Sequence, residues 1–169
     1  MAWESTHVLD GARYCPTVST FRLQTTIEAP DTACFELSLS VDAHLASMAP
    51  SSERAIAGVT SGCMSLGDTV TWRARHFGIP FQMTSAVTAY EAPRRFVDEQ
   101  TRGPFQHWHH EHTFATTSSG GTTMIDIVSF RAPFGPLGAL ADGLVLAAYM
   151  PHLLRKRNSW LKATLEESA

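Results

Sequence analysis

The chain has 169 residues, 44% of them hydrophobic and 17% charged, proportions that exclude a disordered chain and fit one globular domain. Its net charge of −3 with neutral histidines supplies no basic field for nucleic acid or an anionic membrane, so neither is an expected partner. Eight histidines make the charge sensitive below about pH 6.5.

Residues 1–18 read as an N-terminal lead-in segment and 19–169 as the domain. "MAWESTHVLDGARYC" lacks a basic region followed by an apolar run, so no signal peptide is visible. Cys15, Cys34 and Cys63 are odd in number and form no CxxC, which suits reduced thiols in a cytoplasmic protein. The longest apolar stretch, "LGALADGLVLAAYM", contains Asp142 and falls short of the roughly 20 residues of a membrane span.

In "TFRLQTTIEAP", Phe21, Leu23, Thr25 and Ile27 alternate with Arg22, Gln24, Thr26 and Glu28, the period of a half-buried strand. Pro30 stops it and suits a helix start. "DTACFELSL" and "VDAHLASM" read as two short helices. "RAIAGVTSGCM" then reads as a strand, and "SLGD" as a turn. In "TVTWRARHF", Val70, Trp72, Ala74 and His76 oppose Thr71, Arg73 and Arg75. "FQMTSAVTAY", "FVDEQTR", "FQHWHHEHTFAT" and "TTMIDIVSF" are further strands, separated by "EAPRR", Gly103-Pro104 and "SSGG". Strands joined by such short turns pair antiparallel.

From Leu137 the period changes. Leu140, Ala141, Leu144, Val145, Ala148 and Tyr149 recur at helical spacing, with Pro151 as an expected kink. Leu153, Leu154, Trp160, Leu161 and Leu165 continue the stripe, while "RKR" is expected in water. A helix of about 30 residues would span roughly 45 Å. The order is strand, two short helices, six strands, long helix: an α+β chain in which a sheet curled round one helix leaves space for a ligand.

This order resembles the START-like superfamily, also called SRPBCC, of polyketide cyclase/dehydrase-like and lipid-transfer proteins. The motifs that carry the resemblance are "IEAP", "LGDTVTWRARHFGIP", "EAPRRFVDEQTRGPF", "WHHEHTF", "GGTTMIDIVSFRAPFGPLG" and "RKRNSWLK", from about residue 20 to 165. The resemblance implies a helix-grip fold: a seven-stranded antiparallel sheet curled around a long C-terminal helix, two short helices after strand 1, and an apolar cavity. It implies a hydrophobic small molecule as partner, with cyclisation or dehydration catalysed by some members. It carries over no catalytic set residue by residue, and the fold hosts many functions.

"FQHWHHEHTF" is the densest polar motif. Strand parity puts Trp108, His110, His112 and Phe114 on one face and His107, His109 and Glu111 on the other. The first set carries the large apolar groups, so it is expected inward. On the next strand Met124, Asp126, Val128 and Phe130 share a parity, with apolar Ile125 and Ile127 opposite. His110, His112 and Asp126 are the candidate acid–base residues of a cyclase or dehydratase, and His76 is placed to join them. The same groups can instead orient a ligand or satisfy one another in a cavity wall.

Trp72, His76, Phe96, Asp98, Gln100, Trp108, Phe114, Met124, Leu140 and Leu144 complete the expected ligand-binding set. No metal is expected, because His110 and His112 are two good ligands with no clear third; His76 and Asp126 are the nearest candidates. "GTTM" is turn chemistry rather than a phosphate loop, no GxSxG is present, and no cofactor is expected. The leading reading is a binding domain for a hydrophobic or aromatic small molecule. The others are the enzyme and an adaptor with a filled core, and an oligomer is compatible with each.

Overall fold

The computed structural model describes residues 18–49, 52–76, 78–131 and 146–168. Strand β1 (Ser19–Ile27) alternates outward and inward residues as its sequence demands and ends with Ile27 fully buried. Pro30 precedes helix α1 (Asp31–Leu39), where a missing N–H costs nothing. Ser40 closes α1 and opens α2 (Val41–Ser47), its side chain accepting from the Ala43 amide at 3.1 Å, a capping bond that fixes the corner between the helices.

Six strands follow: β2 (Arg54–Gly58), β3 (Thr69–His76), β4 (Ile79–Glu91), β5 (Arg95–Arg102), β6 (His107–Thr116) and β7 (Thr122–Arg131). The sheet has seven strands in the order β1-β7-β6-β5-β4-β3-β2, with every pair antiparallel. Two of the boundaries that depart from the sequence reading have a visible cause. The strand expected to run on to Met64 stops at Gly58, whose φ is +73° and whose Cβ, if present, would lie 2.1 Å from the Thr69 carbonyl oxygen. Only glycine tolerates both conditions, and past it Cys63 keeps a single bridge to Ser40. Conversely, β4 starts two residues early, because His76 pairs with Ile79 and Arg75 with Pro80.

The C-terminal helix α3 (Ala147–Glu167) has 21 described residues, about 31 Å of helix. The expected start at Leu137 lies outside the described residues, as do Leu140, Leu144 and all of the lead-in but Val18. Pro151 sits one turn into the helix. Leu154, Arg157, Asn158 and Leu161 are buried, the i, i+3, i+4, i+7 stripe of a helix laid on a sheet. "RKR" is therefore not wholly in water: Arg155 and Lys156 are exposed, but Arg157 falls on the buried stripe.

The architecture is an α+β helix grip, a curled antiparallel sheet holding one long helix. Among the described residues the apolar core has two parts. One gathers α1 and α2 with Trp72, Phe96, Phe114, Met124 and Leu161; the other gathers Trp108, Val128, Phe130 and Leu154. Along β6 and β7 the residues between the two parts are His110, His112 and Asp126, so a polar patch interrupts the core. No helix among the described residues is long and apolar enough to cross a membrane.

Candidate functional site

Strand register assembles the patch. On β6, Trp108, His110, His112 and Phe114 are buried, and on β7 Met124, Asp126, Val128 and Phe130 are. The parity split therefore puts both histidines and Asp126 on the inner face. Asp98 of β5 lies directly opposite His110, and Asp126 of β7 directly opposite His112. Directly paired side chains stand about 5 Å apart at Cβ, and diagonal ones roughly 7–8 Å. Two acids and two imidazoles thus form a square spanning three strands.

The contacts are short. His110 Nε2 lies 3.0 Å from Asp126 Oδ1, and His112 Nε2 lies 3.2 Å from Asp98 Oδ2. His110 Nδ1 is 3.5 Å from the same Asp98 oxygen. His112 Nδ1 is 2.9 Å from Asp126 Oδ1, but the N–H direction is wrong for a hydrogen bond, so that contact is purely electrostatic. Asn158 of α3 donates to Asp126 Oδ2 at 2.7 Å and to Thr25 Oγ1 at 3.2 Å. Arg157 reaches the Ser38 carbonyl at 3.1 Å, with Nη1 3.9 Å from Asp126. Phe96 stacks on His112 at 4.1 Å, and Trp108 Nε1 donates to Asp98 Oδ1 at 3.4 Å.

Burial and charge pull against each other here. Burial pushes the Asp98 carboxyl up, but the hydrogen bond from His112 and the charges of both histidines outweigh it and hold the group at about 2. Asp126, fully buried, is likewise held well below the usual carboxylate range by His110 and His112 against burial. Burial and the neighbouring His112 charge lower His110. His112 goes the other way, because Asp126 and Asp98 overcome its burial. A buried carboxylate persists only where donors and countercharges surround it, and Asp126 has His110, His112, Asn158 and Arg157.

A cavity of about 650 Å³ opens between the sheet and α3. Most of its wall is apolar, including Val70, Trp72, Met83, Phe105, Met150 and Leu154, while Asp98, His110, His112 and Arg157 form one polar section. A second polar spot lies at α2, where His44 stacks on Trp72 at 4.2 Å with Nε2 3.4 Å from Glu53.

Of the expected ligand-binding set, Trp72, His76, Phe96, Asp98, Trp108, His110 and His112 line this cavity. His76 does not join the other histidines; its Nδ1 bonds the Tyr149 hydroxyl at 2.8 Å, tying the end of β3 to the first turn of α3. Gln100 shares the parity of Asp98 but is spent on the chain turn, holding both the amide and the carbonyl of Phe105 at 3.2 and 2.7 Å. Phe114 packs on Phe35 and Phe96, and Met124 is fully buried in the same core; α1 covers that end of the sheet, so neither reaches the cavity. Asp126 sits behind the histidines rather than on the cavity surface.

Asn158 and Arg157 are members of the patch that the sequence reading does not place in the site: "RKR" is expected in water, and Asn158 is not among the candidate residues. Their signal was present: both are polar at positions where the α3 stripe between Leu154 and Leu161 demands apolar groups.

No protein-family model matches this chain, and no curated protein matches its sequence. Solved structures do match in shape. The ZhuI aromatase/cyclase of Streptomyces sp. R1128 has a TM-score of 0.69 at 16% identity, covering 89% of this chain and 94% of that one. TTHA0849 of Thermus thermophilus has 0.68 at 15%, covering 86% and 99%. Major latex-like protein 151 of Panax ginseng has 0.60 at 12%, covering 88% and 97%. At such identities the likeness establishes the fold alone.

Proposed function

Starting from a START-like, SRPBCC-type helix-grip fold, we propose that this chain binds a hydrophobic or aromatic small molecule between its sheet and its C-terminal helix. The observation that carries this is the 650 Å³ cavity, mostly apolar with a few convergent polar groups in its wall. Ligand sites have volumes of roughly 300–1,000 Å³, apolar walls and a few convergent polar groups. An adaptor with a filled core would not keep that space. Ala74 is buried and lines the cavity, so Ala74→Trp places an indole where the ligand would lie. A fluorescent naphthalene probe should bind the wild type and be displaced by aromatic or fatty compounds. The variant should bind it at least about tenfold more weakly, the effect of losing ~1.4 kcal/mol. Equal affinity in a folded Ala74→Trp protein would refute the assignment.

A second reading has one observation in its favour: His110, His112 and Asp98 face the cavity, so a carboxylate-held imidazole meets whatever is bound. In that reading His110 or His112, held by Asp126, moves a proton during cyclisation or loss of water. Supplying a linear poly-ketone and following product by mass spectrometry tests it. Turnover should fall about 100-fold or more in His112→Gln; no turnover by the wild type, or turnover indifferent to both histidines, removes the enzyme reading.

A further inference from the structure

We infer that His110 Nδ1, His112 Nε2 and Asp98 Oδ2 form a site for one divalent first-row transition-metal ion, with its open coordination positions directed into the cavity. The inference does not depend on any organic molecule occupying that cavity.

Geometry is the first support. One ligand atom from each of Asp98, His110 and His112 lies within 4.8 Å of the others. Asp98 Oδ2 is 3.2 Å from His112 Nε2 and 3.5 Å from His110 Nδ1. An ion with bonds of about 2.0–2.2 Å at tetrahedral angles spaces its ligands roughly 3.3–3.6 Å apart. The two separations from Asp98 already stand close to that spacing, and all three ligand atoms lie within 4.8 Å of one another.

The second support is a count of protons. A neutral imidazole has a single N–H. His110 directs Nε2 at Asp126 Oδ1, so with its proton there its Nδ1 is a lone pair facing Asp98 Oδ2, an acceptor against an acceptor. If His112 donates from Nε2 to Asp98, its Nδ1 lone pair is 2.9 Å from Asp126 Oδ1, a second such conflict. An extra proton on His112 relieves only the second. A cation among His110 Nδ1, His112 Nε2 and Asp98 Oδ2 relieves both: it takes the two lone pairs that face Asp98, His110 keeps its hydrogen bond to Asp126, and His112 turns an N–H rather than a lone pair to Asp126, a favourable electrostatic contact at 2.9 Å.

The third support is the layer behind the ligands. Metal-bound histidines typically give their other N–H to a carboxylate that fixes ring and tautomer. Asp126 faces both rings, is fully buried and is itself anchored by Asn158. Trp108 holds the other Asp98 oxygen, and Phe96 braces the His112 ring. Each ligand is thus oriented by a second contact.

Two imidazoles and one carboxylate suit zinc, iron, cobalt or nickel, whereas calcium and magnesium call for oxygen ligands. Three protein ligands leave at least one position open. It faces an apolar space, where water or an oxygen atom of a bound molecule would complete the sphere. The sequence reading expected no metal because it found no third ligand near His110 and His112; strand register brings one from β5.

The test uses untagged, EDTA-stripped full-length protein titrated with Co2+ and followed by visible absorption, then with Zn2+ by calorimetry. One equivalent of Co2+ should bind, with bands of a nitrogen–oxygen site, and Zn2+ should displace it. Asp98→Asn and His110→Gln should each weaken binding at least tenfold, and Asp126→Asn by about 10–100-fold. The outer-face double variant His107→Gln/His109→Gln should bind as the wild type does. Absence of saturable binding by the wild type overturns the inference without recourse to any variant. So does binding that survives both Asp98→Asn and His110→Gln in proteins folded by circular dichroism, or binding lost only in the outer-face variant.

Discussion

Strand β6 carries two pairs of histidines that differ in nothing but parity. His110 and His112 are buried, set between Asp98 and Asp126, and line a cavity. His107 and His109 are partly exposed, and the acid on their face, Glu111, is taken by Arg95 at 2.7 Å. The inner pair sits where little water can replace a lost partner, so each ring is bound to its neighbours' protonation and position. The outer pair can trade every partner for water. Function is to be sought where partners are irreplaceable, and the contrast can be broken or sharpened by experiment.

The largest expected effect is at the centre of the inner face. Asp126→Ala removes the acceptor for His110 and Asn158 and the countercharge for His112 and Arg157. Breaking a buried charge network from one side typically costs about 3–5 kcal/mol. Glu111→Ala, which breaks a half-exposed pair with Arg95, should cost under about 1 kcal/mol. Urea unfolding of both variants measures the difference, and equal losses would erase the distinction between the faces.

The same contrast marks how far the sequence can be read. Parity needs only the period of a strand, so the inner placement of Trp108, His110, His112 and Asp126 is legible from β6 and β7 alone. Partnership needs register, and register is settled by pairing across the whole sheet. Asp98 and Gln100 share a parity, yet Asp98 meets the histidines while Gln100 secures the turn at Phe105. Phe114 and Met124 also have inward parity, but inward at that end means toward α1. Helix–sheet contacts are one step further from the sequence: nothing local tells Asn158 that its partner is Asp126, 32 residues earlier.

Coupling comes next in size. His112→Ala and Asp126→Asn should be non-additive by about 1–3 kcal/mol, since the residues touch and share partners. The control cycle, His109→Ala with Asp126→Asn, joins opposite faces and should be additive within about 0.5 kcal/mol. Additivity in the first cycle would mean that the square of acids and imidazoles is not a unit.

The pH response of metal-free protein follows from the directions of the shifts. Asp98 and Asp126 are lowered on folding, so their stabilisation is complete above the ordinary carboxylate range and lost as pH falls through the folded values, about 2 for Asp98. His110 is lowered too, and costs stability as pH falls below about 6.5. His112 is raised, so its contribution is complete below about 6.5 and lost as pH rises through its folded value. Above about pH 6.5 the loss of the His112 contribution shapes the curve, just below it the penalty from His110 does, and below about 4 the carboxylates decide. Asp98→Asn should therefore show a shallower fall of unfolding free energy between about pH 4 and 2 than the wild type. Parallel curves would mean that Asp98 is not ionised against the histidines.

The smallest effect is on the outer face, and salt isolates it. Arg95 holds Glu111 through Nε and Nη2 at 3.0 and 2.7 Å and also reaches Glu91 at 3.0 Å. These contacts hold Arg95 charged, raising its guanidinium further, chiefly through Glu111. With both partners partly in water, mobile ions compete for them, and the Debye length shrinks from about 10 Å at 0.1 M salt to about 3 Å at 1 M. Arg95→Met should thus cost under about 1 kcal/mol at low salt and close to nothing at 1 M. Asp126→Ala should keep most of its larger cost at both, because Asp126 is fully buried and buried pairs are screened much less than exposed ones. The measurement is the urea midpoint of each variant at the two salt concentrations. A loss for Asp126→Ala as salt-sensitive as that for Arg95→Met would show that the inner charges are screened like the outer ones, and the two faces of β6 would then differ in degree only.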